Sequence, residues 1–320
     1  IGEVARKYCA LVDNARMERI VDISTDGLYL AIHRGFLTVN DEGTERGRVP
    51  LDDICALIVH AHGITWSNAV MVRLSERAVP IVICGSNHSP IACVWPLEGH
   101  HALGARMRAQ LSASRPLAKQ LWQKLVAGKI RMQGEALRLA GKEPGAFDLL
   151  ARKVRSGDPQ NVEAQAARRY WKAMFGRAFT RDRSAGGANA LLNYGYTVLR
   201  AVASRAICAS GLHPSVGIFH ANRVNTFALA DDVMEPFRPV VDRLVADMVN
   251  SGMTEVDPDT KRRLAGVASV DLEMADQTVS TLSVAMQKLT HSLASSFENR
   301  KADLALPLRP VRLCREDDVT

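Results

Sequence analysis

Residues 97–111 read LEGHHALGARMRAQL, and the period of the chain changes within them. Upstream, apolar residues follow the two-residue spacing of strands. From about Gly104 onward they recur every three or four positions, the spacing of a helix with one buried stripe. The LEGHH segment sits at the change and reads as a linker. A sheet-based N-terminal part followed by a helical remainder is therefore expected.

Working outward, 28–33, Arg34-Gly35 and 36–39 spell a hairpin with a glycine-containing turn. A further strand is expected at 54–60. Ser67 is placed to cap a short helix reaching Arg77, followed by strands at 80–84 and 91–95. His60 and His62 would point the same way on a continued strand, but they read as strand-end packing rather than as a metal pair. Asn87-His88-Ser89 matches a glycosylation sequon and reads as a turn. On the other side of the linker, the spacing predicts helices over 105–127, 130–139, 146–153, 159–177, 188–209, 229–250, 258–267 and 271–297. The sixth is expected to start late or bend at Pro236 and Pro239. The tail from Pro307 is expected to fray.

Bulk properties narrow the function classes. The chain has 320 residues, 47% of them hydrophobic, enough for two compact parts with real cores. No apolar run approaches the ~18 residues of a membrane-spanning helix, and the first residues lack a secretion signal, so a cytoplasmic protein with no membrane partner is expected. The six cysteines form no C-x-x-C pair and read as free thiols rather than as a zinc site. The net charge of +7 is unevenly spread: residues 101–200 carry +13, and the segments on either side carry −3 each. Such a cationic middle points to a polyanion, with nucleic acid the leading partner. A solvated basic helical face is the alternative.

Chemistry-bearing residues cluster in two places. The segment GIFHANRVNTFALADDVMEPFR, residues 217–238, places His220 upstream of Asp231, Asp232 and Glu235. Asp231 and Glu235 would share one face of a helix, and an imidazole with clustered carboxylates can hold a divalent cation. Earlier, Asp158-Pro159 reads as a helix N-cap followed by proline at the first helical position. That puts Glu163 near the start of a helix whose next turns carry Arg168 and Arg169. Taken singly, Glu163 reads as a salt-bridged surface residue, His220 as a packed histidine, and the aspartates as helix-start charges. No phosphate-binding P-loop and no G-x-G-x-x-G fingerprint occurs.

In combination these segments have a specific look. NVEAQAARRYW (161–171), NYGYTVLR (193–200), GLHPSVGIFHANR (211–223) and LADDVMEPFRPVVD (229–242) follow a β-rich start in that order. The chain thereby resembles, over essentially its whole length, the CRISPR-associated integrase, the Cas-one endonuclease family. The resemblance implies an α+β fold: a small N-terminal β-sandwich-like domain (1–98) for dimerisation, then a larger all-α catalytic domain (104–320). It implies metal-binding and catalytic roles for Glu163, His220 and Glu235, with Mn²⁺ or Mg²⁺ as the ion. Glu at the third position, where many members have Asp, resembles the branch accompanying the single-protein RNA-guided effector (type II systems). Asp231 and Asp232 remain alternatives within the acidic cluster.

The resemblance further implies a CRISPR adaptation integrase, in which the 3′-hydroxyl of prespacer DNA attacks a phosphodiester of the CRISPR repeat. Double-stranded DNA, a homodimer and a Cas-two dimer are the implied partners. The type II branch would add the effector nuclease and an accessory acquisition protein. Tyr194 and Arg223 lie in matching segments and are candidate DNA contacts. Arg168 and Arg169, with Lys153, Arg155, Arg177, Arg181 and Arg183, are further backbone-contact candidates from charge. Trp122 and Trp171 read as core. Two other readings stand beside this one: a DNA-binding scaffold with an inactive metal site, and a branched-DNA repair nuclease.

Overall fold

The computed structural model describes residues 19–85, 90–96, 102–220 and 225–311. Sheets come first and helices follow, the α+β order expected. One four-stranded sheet has the order β4-β3-β2-β6, from β2 (Tyr29–His33), β3 (Phe36–Asp41), β4 (Thr44–Pro50) and β6 (Thr65–Trp66). The other has the order β1-β5-β7-β8, from β1 (Arg19–Ile23), β5 (Ile54–Val59), β7 (Ile81–Cys84) and β8 (Pro90–Val94). Arg34 and Gly35 turn the β2–β3 hairpin with φ of 48° and 84°, the paired left-handed conformation that suits a two-residue connection. Helix α1 (Asn68–Ser75) and both sheets share a core that includes Leu30, Leu37, Leu57, Val70, Leu74 and Ile81.

Strand β5 is buried along its whole length. Ile54, Leu57 and Val59 belong to the core between the sheets, whereas Cys55, Ala56 and Ile58 belong to the larger core of the helices. Such double coverage is why ICALIV reads as an unbroken apolar run rather than an alternating one. The helices are α2 (Leu103–Leu111), α3 (Arg115–Leu139), α4 (Phe147–Lys153), α5 (Val162–Phe175), α6 (Ala188–Ala209), α7 (Ala228–Val233), α8 (Arg238–Asn250), α9 (Pro258–Ala265) and α10 (Leu282–Asn299). Among the described residues, none is long and apolar enough to cross a membrane.

Three expectations are corrected. The helix expected over 105–127 breaks at 112–114, where the Ser114 hydroxyl accepts from the Leu117 N–H at 3.4 Å and Pro116 sits in the new first turn. From there α3 runs unbroken for 25 residues, through Gly128 and Gly134. A Cβ at Gly128 would come to 3.3 Å from Leu306, and one at Gly134 to 3.1 Å from Phe147, so both glycines permit close packing. The segment expected as one helix over 271–297 begins instead as β9 (Asp271–Met274) and β10 (Val279–Thr281). The tail expected to fray supplies β11 (Pro307–Pro310), which completes a three-stranded sheet of order β10-β9-β11 inside the helical part. The linker at 97–101 and the turn expected at 87–89 lie outside the described residues.

Candidate active site

Glu163 is fixed by a doubled helix start. The cap is Asn161, not the expected Asp158: Asn161 takes φ 49°, and its Oδ1 accepts from the Ala164 N–H at 3.2 Å. Asp158, itself at φ 46°, contributes from outside the helix, accepting from the Val162 and Glu163 N–H groups at 2.9 and 3.0 Å. With these amide donors satisfied, the first turn of α5 is held and Glu163 has a defined direction.

Glu235 owes its position to a helix break. Residues 229–250 are not one helix: α7 ends at Val233, a 3₁₀ turn spans Glu235–Phe237, and α8 begins at Arg238. Pro236 has no N–H to continue the ladder, and the break delivers the Glu235 side chain into the core at 5% exposure. There Lys129, from α3, reaches both acids. Its Nζ lies 2.5 Å from Glu163 Oε1 and 2.6 Å from Glu235 Oε2. Arg238 Nε donates to Glu235 Oε1 at 2.8 Å. Burial alone would push the Glu235 carboxyl up, but the Arg238 and Lys129 charges hold it down at about 2. Burial likewise works against the Lys129 ammonium, and the two glutamates overcome it, so its pKa is raised. Lys129 meets Oε2 as an ion pair at 2.6 Å, and among the described residues no hydrogen-bond donor is aligned on that buried oxygen.

A second buried layer backs this pair. Arg238 stacks on the Tyr196 ring at 4.6 Å, and the Tyr196 hydroxyl donates to Asp242. Burial pushes the Asp242 carboxyl up to about 7, against the pull of the Tyr196 hydrogen bond and the Arg238 charge.

His220 is held by Asp232. The fully buried Asp232 carboxylate lies 2.6 Å from His220 Nδ1 and accepts from the backbone N–H groups of Ile218, Phe219 and His220 at 2.5, 3.1 and 3.3 Å. An ionised carboxylate only accepts, so Nδ1 carries the proton, and whenever the ring is neutral Nε2 holds the lone pair. The hydrogen bond to Asp232 raises the His220 pKa against the effect of burial, and Glu235 adds to the rise through its field. Gly217 makes the loop possible: a Cβ there would lie 2.5 Å from the His220 carbonyl and 2.9 Å from Asp232 Oδ2. Asp231 faces elsewhere, paired with Arg200 at 2.7 Å and accepting from Asn225 at 2.8 Å. The shared helical face expected for Asp231 and Glu235 is thus lost at the break.

The profile described as CRISPR associated protein Cas1 matches residues 21–282. The chain belongs to the Cas1 family. The CRISPR-associated endonuclease Cas1 of Neisseria meningitidis serogroup C (strain 8013) is 34% identical to it over 287 residues, covering 88% of this chain and 93% of the relative. Among solved structures, a casposase bound to integration product superposes with a TM-score of 0.72 at 20% identity, covering 89% of this chain and 92% of the casposase. A Cas1 protein from Thermotoga maritima superposes with a TM-score of 0.70 at 16% identity, covering 89% of this chain and 98% of the other. These two likenesses are of fold, and the family read from the four motif segments is the family found.

For this Cas1-family chain the expected site residues separate into groups. Glu163 and Glu235 meet through Lys129, with His220 close enough to bias Glu235. Among the described residues, no three His, Cys, Asp or Glu side chains converge as a ready cation cage, and Lys129 stands between the two glutamates. The donor set nonetheless fits a hard divalent ion: two carboxylates aimed at one cation-sized point, one buried carboxylate oxygen with no aligned hydrogen-bond donor among the described residues, and an imidazole whose Nδ1 is taken by Asp232. Tyr194, expected near DNA, is buried instead, its hydroxyl donating to Asp22 of β1 and its ring 5.9 Å from that of His60. Arg181 is occupied with Asn189 and Asn193 at 3.0 and 2.6 Å, which ties the preceding loop to α6. Arg168, Arg169, Lys153, Arg155, Arg177 and Arg183 are exposed. Arg223 lies outside the described residues. Lys129, Arg238 and Arg200 were not singled out from sequence. Lys129 had a signal, since it interrupts the apolar stripe of Leu125, Met132 and Ala136.

Proposed function

We propose that this Cas1-family chain is a divalent-metal-dependent DNA endonuclease and strand transferase of CRISPR adaptation, with Glu163, His220 and Glu235 as its metal-binding and catalytic residues. The observation that carries the proposal is the convergence of Glu163 and Glu235, from separate elements, on the one ammonium of Lys129. Mg²⁺ or Mn²⁺, when bound, would polarise the scissile phosphodiester and offset charge on the attacking and leaving oxygens. Glu163 supplies an oxygen from the pinned start of α5, and Glu235 one from the helix break. His220 offers Nε2 while Asp232 fixes the ring. Arg238 keeps Glu235 ionised, and the exposed arginines of 153–183 lie along the DNA backbone. The casposase with the same fold is described as bound to integration product, which supports strand transfer over simple cleavage. A homodimer through the β-rich part and a Cas2 dimer bridging two such pairs complete the proposed assembly.

The test mixes the chain and a Cas2 partner with prespacer DNA and a plasmid bearing leader and repeat, in Mg²⁺ or Mn²⁺. Glu163→Gln, His220→Ala and Glu235→Gln are each expected to abolish joined product and to retain the fold. Joining by all three variants at the wild-type level rejects the assigned site. One observation favours a second reading, a DNA-binding scaffold: Lys129 already neutralises both carboxylates. Retained DNA binding with no joined product from the wild-type chain selects it.

A further inference from the structure

We propose that Phe219, backed by Trp122, is a stacking platform for an unpaired base at the end of a DNA strand, with Lys119 and Arg115 receiving the adjoining phosphate. The inference rests on the reading of the chain as a DNA-acting enzyme and names a subsite within it. Phe219 immediately precedes His220 and is 53% exposed, although it is large and apolar. A single exposed phenylalanine is ordinary. This one is built in place: its ring lies parallel to that of Trp122, with centroids 4.2 Å apart and planes 1° from coplanar orientation. Trp122 is 1% exposed, so it is an anchor fixed in the helical core. The Phe219 N–H donates to the buried Asp232, which fixes the backbone as well. One face of the ring is therefore taken by Trp122, and the exposed area belongs to what remains.

The surroundings suit a nucleotide. A groove of about 220 Å³ runs from Phe219 and Ile218 past Gly157 to Lys119 and Arg115. It is smaller than the ~300–1,000 Å³ of an enclosed small-molecule site, which favours one flat ring system lying at the surface. Lys119 and Arg115 are exposed, and neither makes an ion pair with another described residue. Gly157, at φ 75°, leaves the groove floor bare; a Cβ there would come to 3.1 Å from the Lys119 stem. An apolar aromatic face rimmed by free cations is the arrangement that holds single-stranded nucleic acid, by base stacking and phosphate attraction. Bases inside a duplex already have both faces covered, and a groove of this size admits one ring system rather than a base pair, so the occupant is unpaired. The His220 ring meets both aromatic rings edge-on, at 5.7 Å from Trp122 and 5.8 Å from Phe219. A base seated there places its own sugar and phosphate beside the imidazole.

The test uses the full chain carrying Glu163→Gln, without divalent metal, so that joining plays no part. The probe is a DNA duplex with a short single-stranded 3′ extension whose terminal nucleotide is 2-aminopurine; a blunt duplex with internal 2-aminopurine is the control. Binding is expected to quench the terminal probe and leave the internal one unchanged. Phe219→Leu, which keeps an apolar contact with Trp122, is expected to remove the quenching and to weaken binding of the extended duplex about 5- to 100-fold, with the blunt duplex unaffected. Phe219→Tyr is expected to restore both. Absence of quenching in the parent protein, quenching that survives Phe219→Leu, or equal loss of extended and blunt binding each overturns the subsite. Quenching by a wild-type chain that makes no joined product upholds the subsite and rejects strand transfer; joining without quenching does the reverse.

Discussion

Lys129 Nζ lies 2.6 Å from Oε2 of Glu235, and the same ammonium lies 2.5 Å from Oε1 of Glu163. One flexible side chain thus closes the two acidic arms of the candidate site. Without it, two carboxylates would face each other across a poorly hydrated gap, and their repulsion would act on α5 and on the break between α7 and α8.

This makes Lys129 a competitor of any cation that binds there. Lys129→Met is expected to lower metal-free stability by about 1–3 kcal/mol, because Glu163 loses its cation and Glu235 keeps only Arg238. Saturating Mn²⁺ is then expected to raise the melting temperature more in Lys129→Met than in wild type, because no ammonium need be displaced. Thermal melts with and without Mn²⁺ check this, and equal metal-induced shifts in the two proteins would reject it.

Asp232 acts on His220 through both charge and position. In Asp232→Asn the side-chain oxygen still accepts hydrogen bonds but the negative charge is gone. The His220 titration midpoint, followed by NMR, is expected to fall, since the Asp232 contact is the chief cause of its rise. DNA joining is expected to drop about 10- to 100-fold, the usual cost of losing a partner behind a ligating histidine. An unmoved midpoint would show that the carboxylate does not govern the ring.

Tyr194 is expected to behave as a structural residue. Asp22 Oδ1 has no hydrogen-bond partner among the described residues, so the Tyr194 hydroxyl on Oδ2 is an important part of what satisfies that carboxylate. Tyr194→Phe is expected to cost about 1–3 kcal/mol in a urea titration with DNA affinity unchanged. Lost DNA affinity at full stability would return Tyr194 to the interface.

The pH dependence of stability should carry the mark of Asp242. Its pKa rises from the ordinary aspartate value of 3.8 to about 7 in the folded chain, chiefly through burial. The folded state therefore holds the proton more tightly than the unfolded state. The stability linked to that proton is complete below pH 3.8 and is lost as pH rises through about 7. The loss amounts to roughly 4 kcal/mol at most. Asp242→Asn, which does not titrate but still accepts from Tyr196, should lose less stability than wild type across that window. Urea midpoints measured in parallel for both proteins decide it, and parallel curves would remove Asp242 as the cause.

What the sequence disclosed follows from how local the governing physics is. The change of period near Gly104, the Arg34-Gly35 hairpin and the motif segments bearing Glu163, His220 and Glu235 are encoded within a few residues each. The third sheet is not: Leu272, Glu273 and Met274 have helical propensity, and their partners in β11 lie far along the chain. The end of α7 was half legible, since Pro236 announced a bend but not where Glu235 would point. Asp158-Pro159 misled by one turn, because Asn161 adopted a left-handed conformation that only its own side-chain cap makes worthwhile. Lys129 was visible as a charge on an apolar stripe, yet its role depends on two acids brought in by other elements.

Strand β5, covered on both sides, has a bearing on how such proteins can be recombined. Cys55, Ala56 and Ile58 complete the core to which α6 belongs, so the boundary between sheets and helices is not a seam. A chimera joined near residue 100 would set one relative's strand against another's helix and inherit a mismatched interior. Exchanges that move β5 together with α6 keep those partners matched, and the transferable module is therefore the pair rather than either half.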